Sequence, residues 1–149
     1  MRTNTFVHKY LKGLISKEDT VVDMTAGNGN DTLLLSKLAG KVIAFDISPE
    51  AIASTRVRIN DTDNVTLIND NHVNIDKYLG GNIRLFVFNL GYLPHSEHPP
   101  VTKAEETLTA FKKAYELLQR GTQSRTGSRL LPRDRLFLHT CGGIHRQGI

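Results

Sequence analysis

With 149 residues, a hydrophobic fraction of 39% and a net charge of +4, the chain is expected to form one globular domain around a single core. No run approaches the roughly 18 apolar residues of a membrane helix, and the N-terminus shows no signal-peptide pattern. The single cysteine, Cys141, excludes an internal disulfide framework and fits a cytoplasmic location. The positive charge fits a nucleic-acid partner, and an ordinary solvated surface explains it equally well.

Helix-like and strand-like segments alternate along the chain. Residues 4–16 carry apolar side chains at helical spacing and predict an amphipathic helix. Four short apolar runs then predict strands: TVVDM, KVIAFD, NVTLIND and NIRLFVFNL. The segments that follow them predict helices: DTLLLSKLAG, SPEAIASTRVRIN, HVNIDKYLGG and the long TKAEETLTAFKKAYELLQ. This order predicts an α/β fold, a Rossmann-like, doubly wound and mostly parallel sheet with helices on both faces.

The segment VVDMTAGNGNDT, residues 21–32, places a glycine turn between the first strand and the next helix. Glycines let the backbone approach a ligand closely, and the free N–H groups of the helix N-terminus point at it. A P-loop is excluded because no Gly-Lys-Ser/Thr follows. Gly27 and Gly29 are followed by Thr32 where a dinucleotide fingerprint has its third glycine, which argues weakly against NAD.

Two acids at strand ends help to choose the cofactor. Asp23 precedes the turn, where a carboxylate would repel a pyrophosphate but suits a ligand with an ammonium group. S-adenosylmethionine (SAM) carries an ammonium and a sulfonium and no phosphate. Asp46 ends the second strand, where it would accept hydrogen bonds from the ribose hydroxyls of either cofactor. We therefore predict SAM, with an NAD site or a turn without a ligand as the alternatives.

The fourth strand carries the candidate chemistry. FNLGYLP places Asn89 at the carboxyl end of the strand, where α/β sheets bind ligands, and Tyr92 three residues later. The amide oxygen, or a backbone carbonyl beside it, would accept a hydrogen bond from a target amine, and the tyrosine ring would stack on a base or favour the cation formed. This pair predicts amine methylation, which needs alignment rather than a nucleophilic residue. The alternative is a strand end followed by an ordinary Gly-Tyr turn.

The histidines are less informative. His72 follows the third strand in NDNHVNI, and the residues alone favour a helix cap or a surface position over a place in the cofactor pocket. His95, Glu97 and His98 lie together in HSEHPP, but no second ligand cluster accompanies them. No metal site is therefore predicted.

Five segments together resemble the YtqB/MnmM-type family of SAM-dependent methyltransferases: DMTAGNGNDTLLL, the acid in FDISPEAI, DNHVNI, NLGYLP and TKAEETLTAFKKAYELL. The resemblance covers roughly residues 4–119. It implies tRNA as the partner and methylation of the amine of 5-aminomethyluridine at the wobble position, and it leaves a homodimer open. Another RNA or a small-molecule amine as substrate, and a SAM-binding module without catalysis, are the alternatives.

The same resemblance implies which residues surround the cofactor. They are Asn28, Asn30, Asp46, Ser48, Asn71 and His72. It thereby moves His72 from a cap to the cofactor pocket. The loop after Leu90 departs from the family, which usually has glycines and an acid where this chain has HSEHPP.

After Leu118 the composition changes: the chain becomes rich in Arg, Gly, Ser and Thr and lacks periodicity until LFLHT. We divide it into a methyltransferase domain, residues 1–119, and a tail, residues 120–149, that is either a disordered basic segment or the product of a reading-frame shift. Codons chosen freely for QRGTQSRTGSRLLPR can encode KGGLKAVLVLVYYPG one base later. Without that apolar strand, the C-terminal strands of the sheet are expected to be missing or altered, and the outer edge of NIRLFVFNL to lie unpaired or badly covered.

Overall fold

The computed structural model of this chain describes residues 3–60, 62–90, 104–123 and 136–140. The elements in chain order are α1 (Thr3–Leu14), β1 (Thr20–Asp23), α2 (Asn30–Leu38), β2 (Lys41–Asp46), α3 (Pro49–Ile59), β3 (Val65–Asn69), a 3-10 helix (His72–Lys77), β4 (Leu85–Leu90), α4 (Ala104–Gln123) and β5 (Leu136–Thr140). Each predicted helix and strand is present, with bounds that differ by a few residues. The short helix after β3 has 3-10 geometry.

The described strands form one sheet in the order β3-β2-β1-β4-β5, and every neighbouring pair is parallel. The chain builds outward from β1 through β2 to β3, and then crosses to the other side of β1 to add β4 and β5. The strand order therefore reverses between β1 and β4, and a crevice at their carboxyl ends is where such sheets bind ligands. The predicted Rossmann-like, doubly wound sheet is confirmed.

Hydrophobic cores lie on both faces of the sheet, because successive strand residues point to opposite sides. Val21 and Leu85 pack against apolar residues of α1 and α2, whereas Val22 and Phe86 pack against α4 and the 3-10 helix region. All four strand residues are fully buried. Each buried side chain of this size stabilises the fold by about 1.5–3 kcal/mol, so the two cores hold β1 and β4 rigidly under the crevice.

The outer edge of β4 is paired. β5 runs parallel to it, from Leu136 opposite Phe86 to Thr140 opposite Leu90. The expectation of an unpaired edge is therefore wrong, because LFLHT supplies a neighbouring strand. Helix α4 continues to Gln123, beyond the boundary that we placed at residue 119. That boundary and the reading-frame shift stay predictions.

None of the helices in the described ranges combines the length and the apolar character needed to cross a membrane.

Candidate functional site

The glycine turn between β1 and α2 is locked against its surroundings. Gly27 and Gly29 have φ values of +57° and +85°, a left-handed conformation that glycine adopts at little cost. The N–H of Gly27 donates to Asp46 Oδ2 at 2.8 Å, and Thr55 Oγ1 donates to the Gly27 carbonyl at 3.1 Å. A Cβ atom on Gly29 would lie 2.8 Å from the Cα of Thr55. Both glycines are thus required by backbone geometry, and Gly29 also by close contact with α3.

The carboxylate of Asp46 connects the turn to the start of α3. Besides the bond from Gly27, its Oδ1 accepts from the backbone N–H of Ser48 at 2.9 Å. Ser48 in turn caps α3, since its Oγ accepts from the N–H of Ala51 at 3.2 Å. Asp46 is therefore fixed at the carboxyl end of β2, directly beside the turn. This position is the one expected of a ribose-binding acid, and that role stays a prediction.

Ile47 is a further candidate site residue, one that no motif in the sequence marks. Its side chain is 66% exposed although it is large and apolar, and it lies between Asp46 and Ser48. A side chain in this position is suited to cover the face of a ligand ring bound beside the acid. The sequence feature that could have identified it is an isoleucine directly after Asp46, the acid that ends β2, in the loop that leads to α3.

Asp23 is completely buried beneath the turn. Its Oδ1 accepts from the N–H of Thr25 at 3.0 Å, and its Oδ2 accepts from Thr32 Oγ1 at 2.7 Å. Burial raises the pKa of the Asp23 carboxyl to about 7, against these two hydrogen bonds, which lower it; nearby Asp31 and Asp46 raise it further. Asp23 therefore braces the turn from below, and its interaction with a ligand ammonium stays a prediction.

His72 lies at the start of the 3-10 helix and is only 7% exposed. Its Nδ1 is 3.1 Å from the carbonyl oxygen of Met24, and its ring packs edge-on against Phe88. Because a carbonyl oxygen only accepts, Nδ1 of the neutral ring carries the proton and Nε2 is left as an acceptor. Nε2 is buried and has no hydrogen-bond partner among the described residues. Buried acceptors normally have a partner, so this atom is a candidate contact for a ligand.

Asn71 is the residue that caps the 3-10 helix. Its Oδ1 accepts from the N–H of Val73 at 3.0 Å, and its Nδ2 donates to Glu106 Oε2 on α4 at 3.2 Å. The interpretation of His72 as a cap or a surface residue is therefore wrong, because Asn71 is the cap and His72 is buried. Glu106 was not foreseen, since only the folded chain brings it to the loop after β3.

Asn89 has a different partner for each of its donors. Its backbone N–H donates to Thr25 Oγ1 at 2.7 Å, and its side-chain Nδ2 donates to Asp31 Oδ2 at 2.8 Å. Its Oδ1 is buried and has no hydrogen-bond partner in the part of the chain that the structure describes. Tyr92, the other predicted catalytic residue, lies outside the described residues.

Asn28 and Asn30 occupy the exposed tip of the turn. The N–H of Asn30 is 3.4 Å from Asn28 Oδ1, and Arg58 Nε donates to the Asn28 carbonyl at 2.7 Å. Both residues are exposed to solvent. The described residues contain no group of three or more His, Cys, Asp or Glu side chains suited to a metal ion, and HSEHPP lies outside them.

Three hydrogen bonds converge on residues 24–27. His72 bonds to Met24, Asn89 to Thr25 and Asp46 to Gly27, although the three come from the ends of three different strands. The described site residues that the sequence predicted lie along the carboxyl edge of the sheet: Asp23, Gly27, Asn28, Gly29, Asn30, Asp46, Ser48, Asn71, His72 and Asn89. This group includes His72 Nε2 and Asn89 Oδ1, two buried acceptors that have no hydrogen-bond partner within the described ranges.

The parallel sheet order, the glycine turn after β1 and the acid at the end of β2 define a class I methyltransferase fold. The chain belongs to the family described as "Putative rRNA methylase", whose model matches residues 42–124. The predicted family is confirmed.

Individual relatives agree with this assignment. The chain is 36% identical over 130 residues to the "tRNA (mnm(5)s(2)U34)-methyltransferase, chloroplastic" of Arabidopsis thaliana, a match that covers 76% of this chain and 47% of the relative. Two solved structures each cover 79% of this chain and 67% of their own: "a putative methyltransferase from streptococcus mutans in complex with SAH", with 42% identity and a TM-score of 0.71, and a "putative rRNA-methylase" from Clostridium thermocellum, with 44% identity and a TM-score of 0.72. The chain thus spans about half the length of the plant relative.

Proposed function

We propose that this protein uses SAM to methylate the amine of 5-aminomethyluridine at the tRNA wobble position. The observation that carries the proposal is the side-chain oxygen of Asn89, which is buried, has no described partner and lies at the carboxyl end of β4. An unsatisfied buried acceptor favours a ligand that donates a hydrogen bond, as an amine does. The plant relative, by its name a tRNA (mnm(5)s(2)U34)-methyltransferase, supports tRNA as the substrate.

SAM is the cofactor, as the glycine turn and the two strand-end acids predicted; related class I methyltransferase structures include one in complex with SAH. We assign the ribose hydroxyls to Asp46, whose two carboxylate oxygens each retain an acceptor site beyond the bonds from Gly27 and Ser48. The exposed Ile47 would cover the adenine ring. Gly27 and Gly29 would allow the backbone to approach the cofactor closely.

The remaining residues complete the cofactor pocket in this proposal. Asn28 and Asn30 at the tip of the turn, with Ser48 and Asn71, supply polar groups around the cofactor. His72 Nε2 would accept a hydrogen bond from an N–H or O–H of the ligand. Asp23 would interact with the ammonium group of the cofactor; its carboxyl, whose pKa burial raises to about 7, would be ionised more fully once the cationic ammonium and sulfonium groups bind beside it.

When bound, the cofactor supplies an electrophilic methyl group on sulfur, and transfer of that group to the amine leaves a neutral thioether and a methylated ammonium, which then loses one proton. Asn89 Oδ1 would accept one N–H of the neutral amine and so direct the nitrogen lone pair at the methyl group. The same contact strengthens as positive charge develops on the nitrogen, which stabilises the transition state. Tyr92 stays a predicted partner that stacks on the base or favours the cation.

The test compares methyl transfer from labelled SAM to three RNAs: tRNA that carries 5-aminomethyluridine, the same tRNA with an unmodified wobble uridine, and rRNA. We expect label only in the first, with the methylated nucleoside identified by mass spectrometry. Label in rRNA alone would replace the proposed substrate with an rRNA site. Binding of SAM without transfer to any RNA or amine would identify a non-catalytic SAM-binding module.

A further inference from the structure

Asp31 is a residue that the proposed function does not use. It lies in the first turn of α2, half-buried, 58 positions before Asn89 in sequence. Its Oδ2 accepts from Asn89 Nδ2 at 2.8 Å, while the backbone N–H of Asn89 is held by Thr25 Oγ1 at 2.7 Å. The backbone and the side chain of Asn89 are therefore anchored by two separate residues of the β1–α2 segment.

The partner at one end of an asparagine amide decides what the other end offers. The two ends have nearly the same shape and differ in that the nitrogen donates and the oxygen accepts. An ionised carboxylate has no proton to donate, so Asp31 requires that Nδ2 point toward it. Asn89 Oδ1 then points away from Asp31, where it is buried without a partner among the described residues.

We infer that Asp31 is a positioning residue that fixes the amide of Asn89 with its oxygen toward the methyl acceptor, so that the site selects a group with an N–H to donate. This inference rests on the proposed function, because it requires that Asn89 contact the acceptor. The charge of Asp31 also polarises the amide and makes its oxygen a stronger acceptor. An acceptor-only target, such as a carbonyl oxygen or an unprotonated ring nitrogen, would face the oxygen of Asn89 and be repelled.

A purely structural role for Asp31 is the competing explanation. An acid in the first turn of a helix interacts favourably with the helix dipole, which raises the stability of the protein without any effect on methyl transfer. Glu105 is the matched control, because it is an exposed acid in the first turn of α4. A dipole role predicts that the charge-removing variants Asp31→Asn and Glu105→Gln both change only the melting temperature.

The decisive variant is Asp31→Asn, which keeps the shape but offers both a donor and an acceptor, so the Asn89 amide is free to turn. We expect kcat on the amine-bearing tRNA to fall by about 10- to 100-fold, less than the roughly 100- to 1,000-fold cost of deleting an aligned charge-stabilising contact, because Asn89 itself is retained. The dissociation constant for SAM should stay within about twofold of wild type, since the SAM contacts assigned above are unchanged. Glu105→Gln should leave both quantities unchanged.

Exchanging the carboxylate at position 31 with the amide at position 89 should restore activity, which provides a rescue experiment. In the double variant Asp31→Asn with Asn89→Asp, the new amide at position 31 donates to the new carboxylate at position 89, whose second oxygen faces the acceptor. We expect the double variant to be at least about tenfold more active than either single variant, a coupling typical of directly bonded residues. Asn89→Asp alone should be poorly active, because it places two carboxylates together.

Wild-type kcat in folded Asp31→Asn, or a double variant no better than the single ones, would overturn the positioning role. Failure of the proposed function looks different, because wild-type protein would then transfer no methyl group to the amine-bearing tRNA. In that case the side-chain NH₂ resonances of Asn89 in ¹⁵N-labelled protein test the orientation directly. They should shift strongly in Asp31→Asn and stay unchanged in Glu105→Gln; unchanged resonances in both would contradict the bond to Asp31.

Discussion

The backbone and the side chain of Asn89 are bonded to different partners, and its side-chain oxygen has no hydrogen-bond partner among the residues that the structure describes. Thr25 holds the backbone N–H and Asp31 holds the amide nitrogen, so the free oxygen has a fixed place and direction. What distinguishes this oxygen from that of Asn64, which likewise lacks a described partner, is its place at the carboxyl end of the sheet, where ligands bind. A substitution of Asn89 is therefore expected to change methyl transfer without changing cofactor binding.

Asn89→Ala should therefore lower turnover on the amine-bearing tRNA by about 100-fold or more, the usual cost of a charge-stabilising contact at a reacting centre. SAM affinity should remain nearly unchanged. Asn64→Ala is the matched control, because Asn64 also has a buried oxygen without a partner in the described part of the chain, but its amide nitrogen donates to the carbonyls of Ser36 and Ala39 at the opposite, amino end of the strands. The control should lose stability and keep its turnover. Loss of SAM affinity in Asn89→Ala, with normal turnover at saturation, would move Asn89 to the cofactor pocket.

Asp46→Ala should remove most of the stabilisation that SAM gives to the protein. A ligand at about 100 times its dissociation constant adds about 2.7 kcal/mol to the free energy of unfolding, which a thermal melt detects readily. The substitution deletes the proposed ribose acceptor and also frees the N–H of Gly27. Asp63→Ala, at an exposed acid away from the turn, serves as the control. A full SAM-induced shift in Asp46→Ala would show that the ribose assignment is wrong.

Asp23 predicts a pH dependence of stability in the absence of ligand. Burial raises the pKa of its carboxyl from 3.8 to about 7, so between these values the folded protein keeps a proton that the unfolded chain releases. The free energy of unfolding from this group therefore falls as pH rises from about 4 to 7, by at most about 1.4 kcal/mol per pH unit. Asp23→Asn removes the titration, so its melting temperature should rise relative to wild type over this range. A constant difference between the two proteins would contradict the raised pKa.

At the scale of elements, the sequence predicted the order and type of nearly every helix and strand, because most have a clear apolar run or helical spacing and several are bounded by a glycine or proline. Within the site, the sequence predicted the positions of residues at strand ends, such as Asp46 and Asn89, because the carboxyl ends of parallel strands meet at one edge of the sheet. It did not predict their hydrogen-bond partners. The Asp31–Asn89 and Asn71–Glu106 bonds join residues 58 and 35 positions apart, and no local pattern marks them. The burial of Asp23 was not predicted either. In the sequence, its hydrogen-bond partner Thr32 stands out only as the residue in place of a third glycine, and nothing marks it as the partner of an acid nine residues earlier.

The glycine turn is the element whose geometry tolerates least change. Gly29→Ala should destabilise the protein by at least about 1 kcal/mol, because alanine resists the left-handed conformation and its methyl group would strike the backbone of Thr55. It should also weaken SAM binding. Gly13→Ala in α1 is the control: a Cβ there meets nothing within 4 Å, so the change should be neutral or stabilising. Equal melting temperatures for the two variants would mean that the turn is not locked by Thr55.

At the scale of the whole molecule, the sheet depends on the strand that pairs with the outer edge of β4. In the structure, LFLHT takes this place, with Leu138 opposite Phe88 and His139 opposite Asn89. The strand that borders the proposed catalytic asparagine thus comes from the tail that the sequence marked as atypical. The alternative reading frame supplies a longer, β-branched segment, AVLVLV, which has a higher preference for a strand buried on both faces.

We therefore expect that a chain with residues 119–133 rewritten as KGGLKAVLVLVYYPG is more stable and transfers methyl groups faster than the chain as it stands. The measurements are paired melting curves and methyl incorporation into the amine-bearing tRNA. Leu138→Pro identifies the strand in use, because proline disrupts pairing within a strand. It should lower the melting temperature of the original chain and leave the rewritten one unaffected. If both chains match in stability and activity, and Leu138→Pro damages both, LFLHT is the genuine fifth strand and the reading-frame hypothesis fails.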